Sequence, residues 1–191
     1  MIAATALVVA PAAAMAASGG TSGDPVAPPP VPAPSGCSVG TGGVAQADPT
    51  CTPPVAATLV GGRAVAPSSA PPQVKAVIAA ANKISAKPYI WGGGHRRWWD
   101  RGYDCSGAVS YVLHKGGFLT SPMDSTGLKK FGLPGAGRWI TVYANASHTY
   151  AVIAGLRWDT AGDETGTGPR WHPTLTAAAS GTFKVRHPTG Y

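Results

Sequence analysis

Charge is scarce in this chain. Asp, Glu, Lys and Arg make up 12% of 191 residues, about half the share usual in globular proteins. The shortage falls on acids: 8 Asp and Glu stand against 15 Lys and Arg, a net charge of +7. That excess points to an anionic neighbour such as a cell-wall polymer. No basic stripe interleaved with aromatics is present, which argues against nucleic acid. There is no apolar run of membrane-spanning length, no His-Glu-x-x-His and no Cys-x-x-Cys, so neither a stable membrane span nor a metal site is expected. No motif calls for a cofactor. Cysteine is limited to Cys37, Cys51 and Cys105. Proline and glycine are plentiful, at 19 and 26, and much of both lies in the first third. The remainder suffices for one compact domain.

Residues 1–17 run from a short apolar segment into small residues, and Ala14-Met15-Ala16 fits a signal-peptide cleavage site. No Lys or Arg precedes the apolar run. Export to the cell exterior or wall is the expectation. Residues 18–72 are rich in Pro, Gly, Ala, Ser and Thr, as in Pro28-Pro29-Pro30. Such composition buries too little apolar surface to fold and reads as a largely disordered linker. Cys37 and Cys51 lie within it, and a disulfide closing a small loop is the expected pairing in an exported chain. Cys105 is then the odd cysteine, which flags a reactive thiol.

The folded domain is expected over 73–191. Pro71-Pro72 opens a helix whose Val74, Val77, Ile78, Ala81 and Ile84 form one stripe, ending at Lys87-Pro88. A second helix begins at Cys105. Val109, Val112 and Leu113 fall four, seven and eight positions on, sharing its face, and Gly116-Gly117 stops it. A thiol in a helix's first turn meets unpaired N–H groups and the positive dipole end, both favouring thiolate. The plainer alternative is a small Cys packing in the core. A turn-rich passage covers Thr120 to Gly137. Strands follow at Trp139–Tyr143, His148–Ile153, Leu156–Asp159 and Ser180–Val185. The fold class is therefore α+β: helices first, then an antiparallel meander.

A cysteine nucleophile needs a base, and the base needs an orienting partner. His114 lies on the far side of the second helix and reads as solvated. His172 and His187 adjoin prolines in irregular sequence. His148 opens a strand, a position suited to aiming a side chain at a sheet end. If the next turn has two residues, at Ile153-Ala154 or Ala154-Gly155, Asp159 falls on the same face as His148, opposite or one diagonal step away. A three-residue turn would put it on the other face. Before the helix, Gly92-Gly93-Gly94 permits close backbone approach. His95, Arg96, Arg97, Trp98, Trp99 and Arg101 follow as a candidate substrate rim, with Trp98 and Trp99 equally able to cap the core.

Pro88-Tyr89-Ile90-Trp91-Gly92-Gly93, then Tyr103-Asp104-Cys105-Ser106-Gly107, then His148 opening a strand, resembles the NlpC-like papain-fold family of bacterial cell-wall cysteine peptidases. The resemblance runs from about 73 to 159. It implies a Cys nucleophile heading a helix packed on an antiparallel sheet, with a His base from a strand: Cys105 and His148. It places Tyr89 near the oxyanion site, and Asp104 and Ser106 at the substrate pocket. The implied substrate is the peptide stem of peptidoglycan, commonly cut at the γ-linkage after D-glutamate. The segment between Gly93 and Asp104 is longer than the family's usual loop. The third polar residue, often His in the family, is here most simply Asp159. An N-acetylmuramoyl-L-alanine amidase, an acyltransferase on the same fold and an inactive wall-binding module are the alternatives.

Overall fold

A computed structural model describes residues 56–161, 168–173, 175 and 182–191. The expected signal peptide, most of the linker and the Cys37–Cys51 pair lie outside the described residues. Two strands, β1 (Thr58–Val60) and β2 (Arg63–Val65), pair as a hairpin. They fall inside the stretch read as linker, so ordered structure starts well before residue 73. The apolar residues of 56–72 are mostly alanine; Ala57 and Ala64 join the main buried cluster with Leu59 packed against it, and a polar clamp fixes the hairpin in place. Asn82 reaches it from the first helix, accepting from the Ala64 N–H at 2.9 Å and donating to the Ala64 carbonyl at 2.8 Å.

Helix α1 (Pro72–Ile84) starts with proline in its first turn, where the missing N–H costs nothing. It buries Val74, Val77, Ile78, Ala81 and Ile84, the expected stripe, together with Ala80, and ends at Ser85 rather than at Lys87. Helix α2 (Cys105–Lys115) is capped by Asp104, whose side chain accepts from the Gly107 N–H. It stops in a Schellman arrangement: Phe118 N–H bonds to Leu113 O and Gly117 N–H to His114 O, with Gly117 at φ 83°. The expectation of one inward face understates its burial. Every residue from Cys105 to Leu113 is buried. Ser106, Gly107, Ala108 and Ser110 are small enough to let neighbours close in on all sides.

The turn-rich passage contains a single helical turn, α3 (Ser125–Leu128), capped by Asp124, and a two-residue strand, β3 (Leu133–Pro134). Strands β4 (Ile140–Ala144), β5 (Thr149–Ile153), β6 (Leu156–Asp159) and β7 (Arg170–His172) form an antiparallel meander. β8 (Lys184–His187) returns to the far side of β4 and pairs also with β3, giving the order β3-β8-β4-β5-β6-β7. β7 was not expected, because Pro173 made its sequence read as irregular. The last strand begins four residues later than anticipated. α1, α2 and strands β4 to β7 contribute to one buried apolar cluster, in which Val77, Val112, Ile140, Ala151 and Trp158 are fully enclosed. Alternate residues Ile140, Val142 and Ala144 on β4 meet Ile153, Ala151 and Thr149 on β5.

Asn82 also accepts from the Trp171 indole N–H at 2.9 Å. One amide in α1 thus ties the hairpin and β7 to the helix. Asn82→Ala leaves three buried or half-buried partners unmatched. We expect a loss of about 2 kcal/mol, read as a lowered Tm, with the far-UV spectrum of the remaining helices preserved.

Candidate active site

Cys105 is the first residue of α2 and is buried. The first-turn N–H groups of Cys105 and Ser106 have no helical carbonyl four residues back. They are available to a developing negative charge beside the thiol.

A backbone knot holds this helix end. The segment 88–93 runs parallel to 102–104: Tyr103 N–H bonds to Pro88 O, Ile90 N–H to Tyr103 O and Asp104 N–H to Gly93 O. The glycines are dictated by contact. A Cβ on Gly107 would lie 1.9 Å from the Gly93 carbonyl oxygen, and one on Gly93 would lie 2.4 Å from Gly102 O. The Gly-rich loop and α2 therefore touch backbone to backbone. Tyr103 is buried beneath, donating its hydroxyl proton to Trp98 O at 2.8 Å.

Asp104 gathers four donors. Its Oδ1 takes Gly107 N–H at 2.7 Å, the Ser106 hydroxyl at 3.1 Å and His95 Nε2 at 3.0 Å. Its Oδ2 takes Gly92 N–H at 3.0 Å. Burial pushes this carboxyl up, but the His95 and Gly107 bonds outweigh it and hold it below the usual carboxylate range. His95 Nε2 also lies 3.0 Å from Ser106 Oγ. The Asp104 hydrogen bond is the main cause that raises the His95 pKa, against a smaller opposing effect of burial. An ionised Asp104 requires a proton on His95 Nε2, which fixes the ring's tautomer. The sequence placed His95 only on a rim; it is the clamp between the two residues that flank Cys105. Tyr89 is half-buried, and burial followed by the charges of Cys105 and Asp104 raises its pKa, keeping the phenol protonated beside the thiol.

The sheet brings the other half. The β5–β6 register pairs Ile153 with Leu156, so the turn is the two-residue Ala154-Gly155. Both residues have positive φ, 46° and 81°, the left-handed pair that matches strand twist. Continuing the register sets Asp159 opposite Tyr150, one diagonal step from His148 on the same face. His148 Nε2 lies 2.9 Å from Asp159 Oδ1. The ring's Nδ1 is left for the thiol. Burial lowers the His148 pKa, but the Asp159 hydrogen bond and the interaction with Cys105 override it, lifting the value to about 9. Asp159 Oδ1 also takes the Ala161 N–H at 3.0 Å.

The rim residues separate. Arg96 and Arg97 are exposed. Trp98 stacks on His114, with ring centroids 3.9 Å apart and planes within 2°. His114 also bonds through Nδ1 to Leu119 O at 2.9 Å, so it is packed and bonded rather than solvated. Trp98 abuts the core and Trp99 lies under the Lys87 ammonium, 4.2 Å from centroid to Nζ. The most exposed aromatic is Trp91, at 86%, in the Gly-rich loop.

No family model matches the chain, and no curated protein matches it. Solved structures do. The chain is similar to Rv1477, a hypothetical invasion protein of Mycobacterium tuberculosis, at 23% identity and TM-score 0.43. That likeness covers 60% of this chain and 61% of the other. It is also similar to two structures of mutated forms of the Resuscitation Promoting Factor Interacting protein RipA. One has 21% identity and TM-score 0.44, covering 60% and 62%; the other has 23% and 0.43, covering 60% and 61%. The chain thus spans about three fifths of the solved chains it matches, and none of these likenesses reaches a TM-score of 0.5.

Two outcomes follow from this geometry. Gly107→Ala forces the loop off the helix and is expected to cost about 1–3 kcal/mol, visible in thermal unfolding. The His148 pKa stands at about 9 in the folded chain against the ordinary 6.5 of a histidine. Its stabilising contribution is therefore full below pH 6.5 and is lost as pH rises through 9. Asp159→Asn removes most of that excess. Its Tm should fall less than wild type between pH 6.5 and pH 9.5, measured by calorimetry at matched ionic strength.

Proposed function

We propose that the domain is a secreted cysteine peptidase that hydrolyses amide bonds in the peptide stems of peptidoglycan. The reading rests chiefly on one observation: the Cys105-headed helix and the His148–Asp159 strand pair meet, with Asp104 and Ser106 flanking the thiol and Tyr89 beside it. The helix-then-antiparallel-sheet order suits a papain-like architecture of the NlpC type. The motif spacing from Pro88 to His148 supplies the substrate class, and the basic net charge suits a wall rich in carboxylates and anionic polymers.

The chemistry runs as follows. The proton shared by Cys105 and His148 resides on His148 Nδ1; a ring lifted to about 9 keeps it there at neutral pH. The thiolate attacks the amide carbon, forming a C–S bond and an oxyanion. The N–H groups of Cys105 and Ser106 and the Tyr89 hydroxyl stand ready to donate to that oxygen. When the tetrahedral species collapses the C–N bond breaks, and His148 gives its proton to the departing amine. Water then loses a proton to His148 and attacks the thioester. The carboxylic acid is released and Cys105 departs as thiolate, with the proton on His148. Throughout, Asp159 holds the ring by Nε2, so Nδ1 faces the sulfur.

Digestion of purified peptidoglycan, with fragments identified by mass spectrometry, tests this reading. Wild type should release stem-peptide fragments and Cys105→Ala none. His148→Gln should lower kcat by about 10²–10⁴-fold. Release of intact stems from glycan would instead make the enzyme an amidase. Wall binding without any fragments from wild type would make the domain a binding module.

A further inference from the structure

Arg157 has no place in the chemistry just described, yet it is buried beside it. Its side chain is 1% exposed, and Nε lies 3.6 Å from Oδ2 of Asp159, whose side chain is 0% exposed. A guanidinium stays charged at any working pH, and a charge taken from water must be matched nearby. Asp159 is the carboxylate within ion-pair reach among the described residues.

The strand geometry makes the match deliberate. Arg157 and Asp159 are two residues apart on β6, so both side chains leave the same face of the sheet. That is also the face of His148 and Tyr150. Arg157 sits across from His172 on β7, and Asp159 across from Arg170. The two carboxylate oxygens are divided. Oδ1 receives His148 Nε2 and the Ala161 N–H, while Oδ2 faces Arg157. A carboxylate has two ends about one axis. Fixing Oδ2 by charge fixes the direction in which Oδ1 meets the imidazole. The other end of the Arg157 side chain is held too, with Nη2 3.5 Å from Ala161 O, on the residue whose N–H also binds Oδ1.

We propose that Arg157 is a positioning residue of the active site, aligning Asp159 so that His148 presents Nδ1 to Cys105. The inference rests on the cysteine-hydrolase reading above. Arg157 acts on the imidazole through Asp159. Two consequences set this apart from a structural role. The loss on substitution falls on kcat, with KM little changed. The loss also depends on the Asp159 charge.

The experiment is a double-mutant cycle with Arg157→Met and Asp159→Asn in the full chain, assayed on peptidoglycan stem peptides. The cycle includes the ¹H NMR signal of the hydrogen-bonded His148 Nε2–H. Arg157→Met should lower kcat by about 10–100-fold, keep KM within about twofold, and weaken or remove the downfield Nε2–H signal. Adding Arg157→Met to Asp159→Asn should cost almost nothing further. Arg157→Lys, which keeps the charge, should recover part of kcat. Wild-type kcat and an unchanged Nε2–H signal in Arg157→Met would overturn the proposal. So would losses that simply multiply across the cycle. If Arg157→Met alone does not fold, the double variant, which removes both members of the pair, is compared with Asp159→Asn. Equal alkylation rates of Cys105 by iodoacetamide in those two proteins support the proposal, and a further drop of tenfold or more overturns it. The alkylation and NMR arms need no substrate. If wild type cuts no stem peptide while those arms behave as described, the hydrolase reading fails and the Arg157 assignment stands.

Discussion

The Asp104 carboxylate is the interaction on which the surroundings of the Cys105 thiol depend. It caps α2 through Gly107, reaches back to Gly92 in the Gly-rich loop, and binds Ser106 and His95, which also touch each other. Without it the helix start would be joined to Gly92 and Gly93 by backbone contacts alone. Those contacts are close only because Gly93, Gly102 and Gly107 carry no side chain. One buried charge thus ties together helix start, loop and thiol. It remains ionised because four donors face it, enough to overcome the cost of taking it out of water.

The second half of the site is set by a turn. Two residues between β5 and β6 keep His148 and Asp159 on one face; a third would have sent Asp159 to the opposite side of the sheet. The turn demands left-handed backbone at both positions. Gly155 adopts it freely, whereas Ala154 is held there by hydrogen bonds from its N–H to Trp139 O and from Ala57 N–H to its own carbonyl. The hairpin that precedes α1 is therefore connected to the geometry of the His–Asp pair. It reaches the β5–β6 turn through Ala57 and β7 through Asn82. This coupling explains why residues with linker-like composition are ordered.

The Cys105 arm and the sheet arm obey different physics. Around Cys105 the contacts are hydrogen bonds to backbone and short polar side chains, dense and local. Around His148 a chain of charges crosses strands: Arg157, Asp159 and the imidazole, all largely removed from water. Low dielectric makes each of these charges strongly felt by the next. It also makes their mutual alignment a condition for burying them at all.

Local spacing along the chain was enough to place Cys105 at a helix start, because apolar residues four, seven and eight positions on leave one choice of period. It also ranked His148 above the other histidines, and parity across a short turn reached Asp159, since strand periodicity carries over eleven residues when the loop length is known. Other features had no local signal. His95 looks like a rim residue until the Gly-rich loop folds against α2 and sets its ring between Asp104 and Ser106. His114 looks solvated until Trp98 stacks on it. β7 hid behind a proline, and the 58–65 hairpin behind the Pro-, Gly- and Ala-rich composition of the stretch around it. Arg157 drew no notice in the sequence, and only the pairing of β5, β6 and β7 encloses it beside Asp159. Periodicity and motif spacing are properties of neighbours in sequence, and the sequence by itself determined them. Which charges are buried together depends on contacts between segments tens of residues apart, and only the tertiary structure decided those.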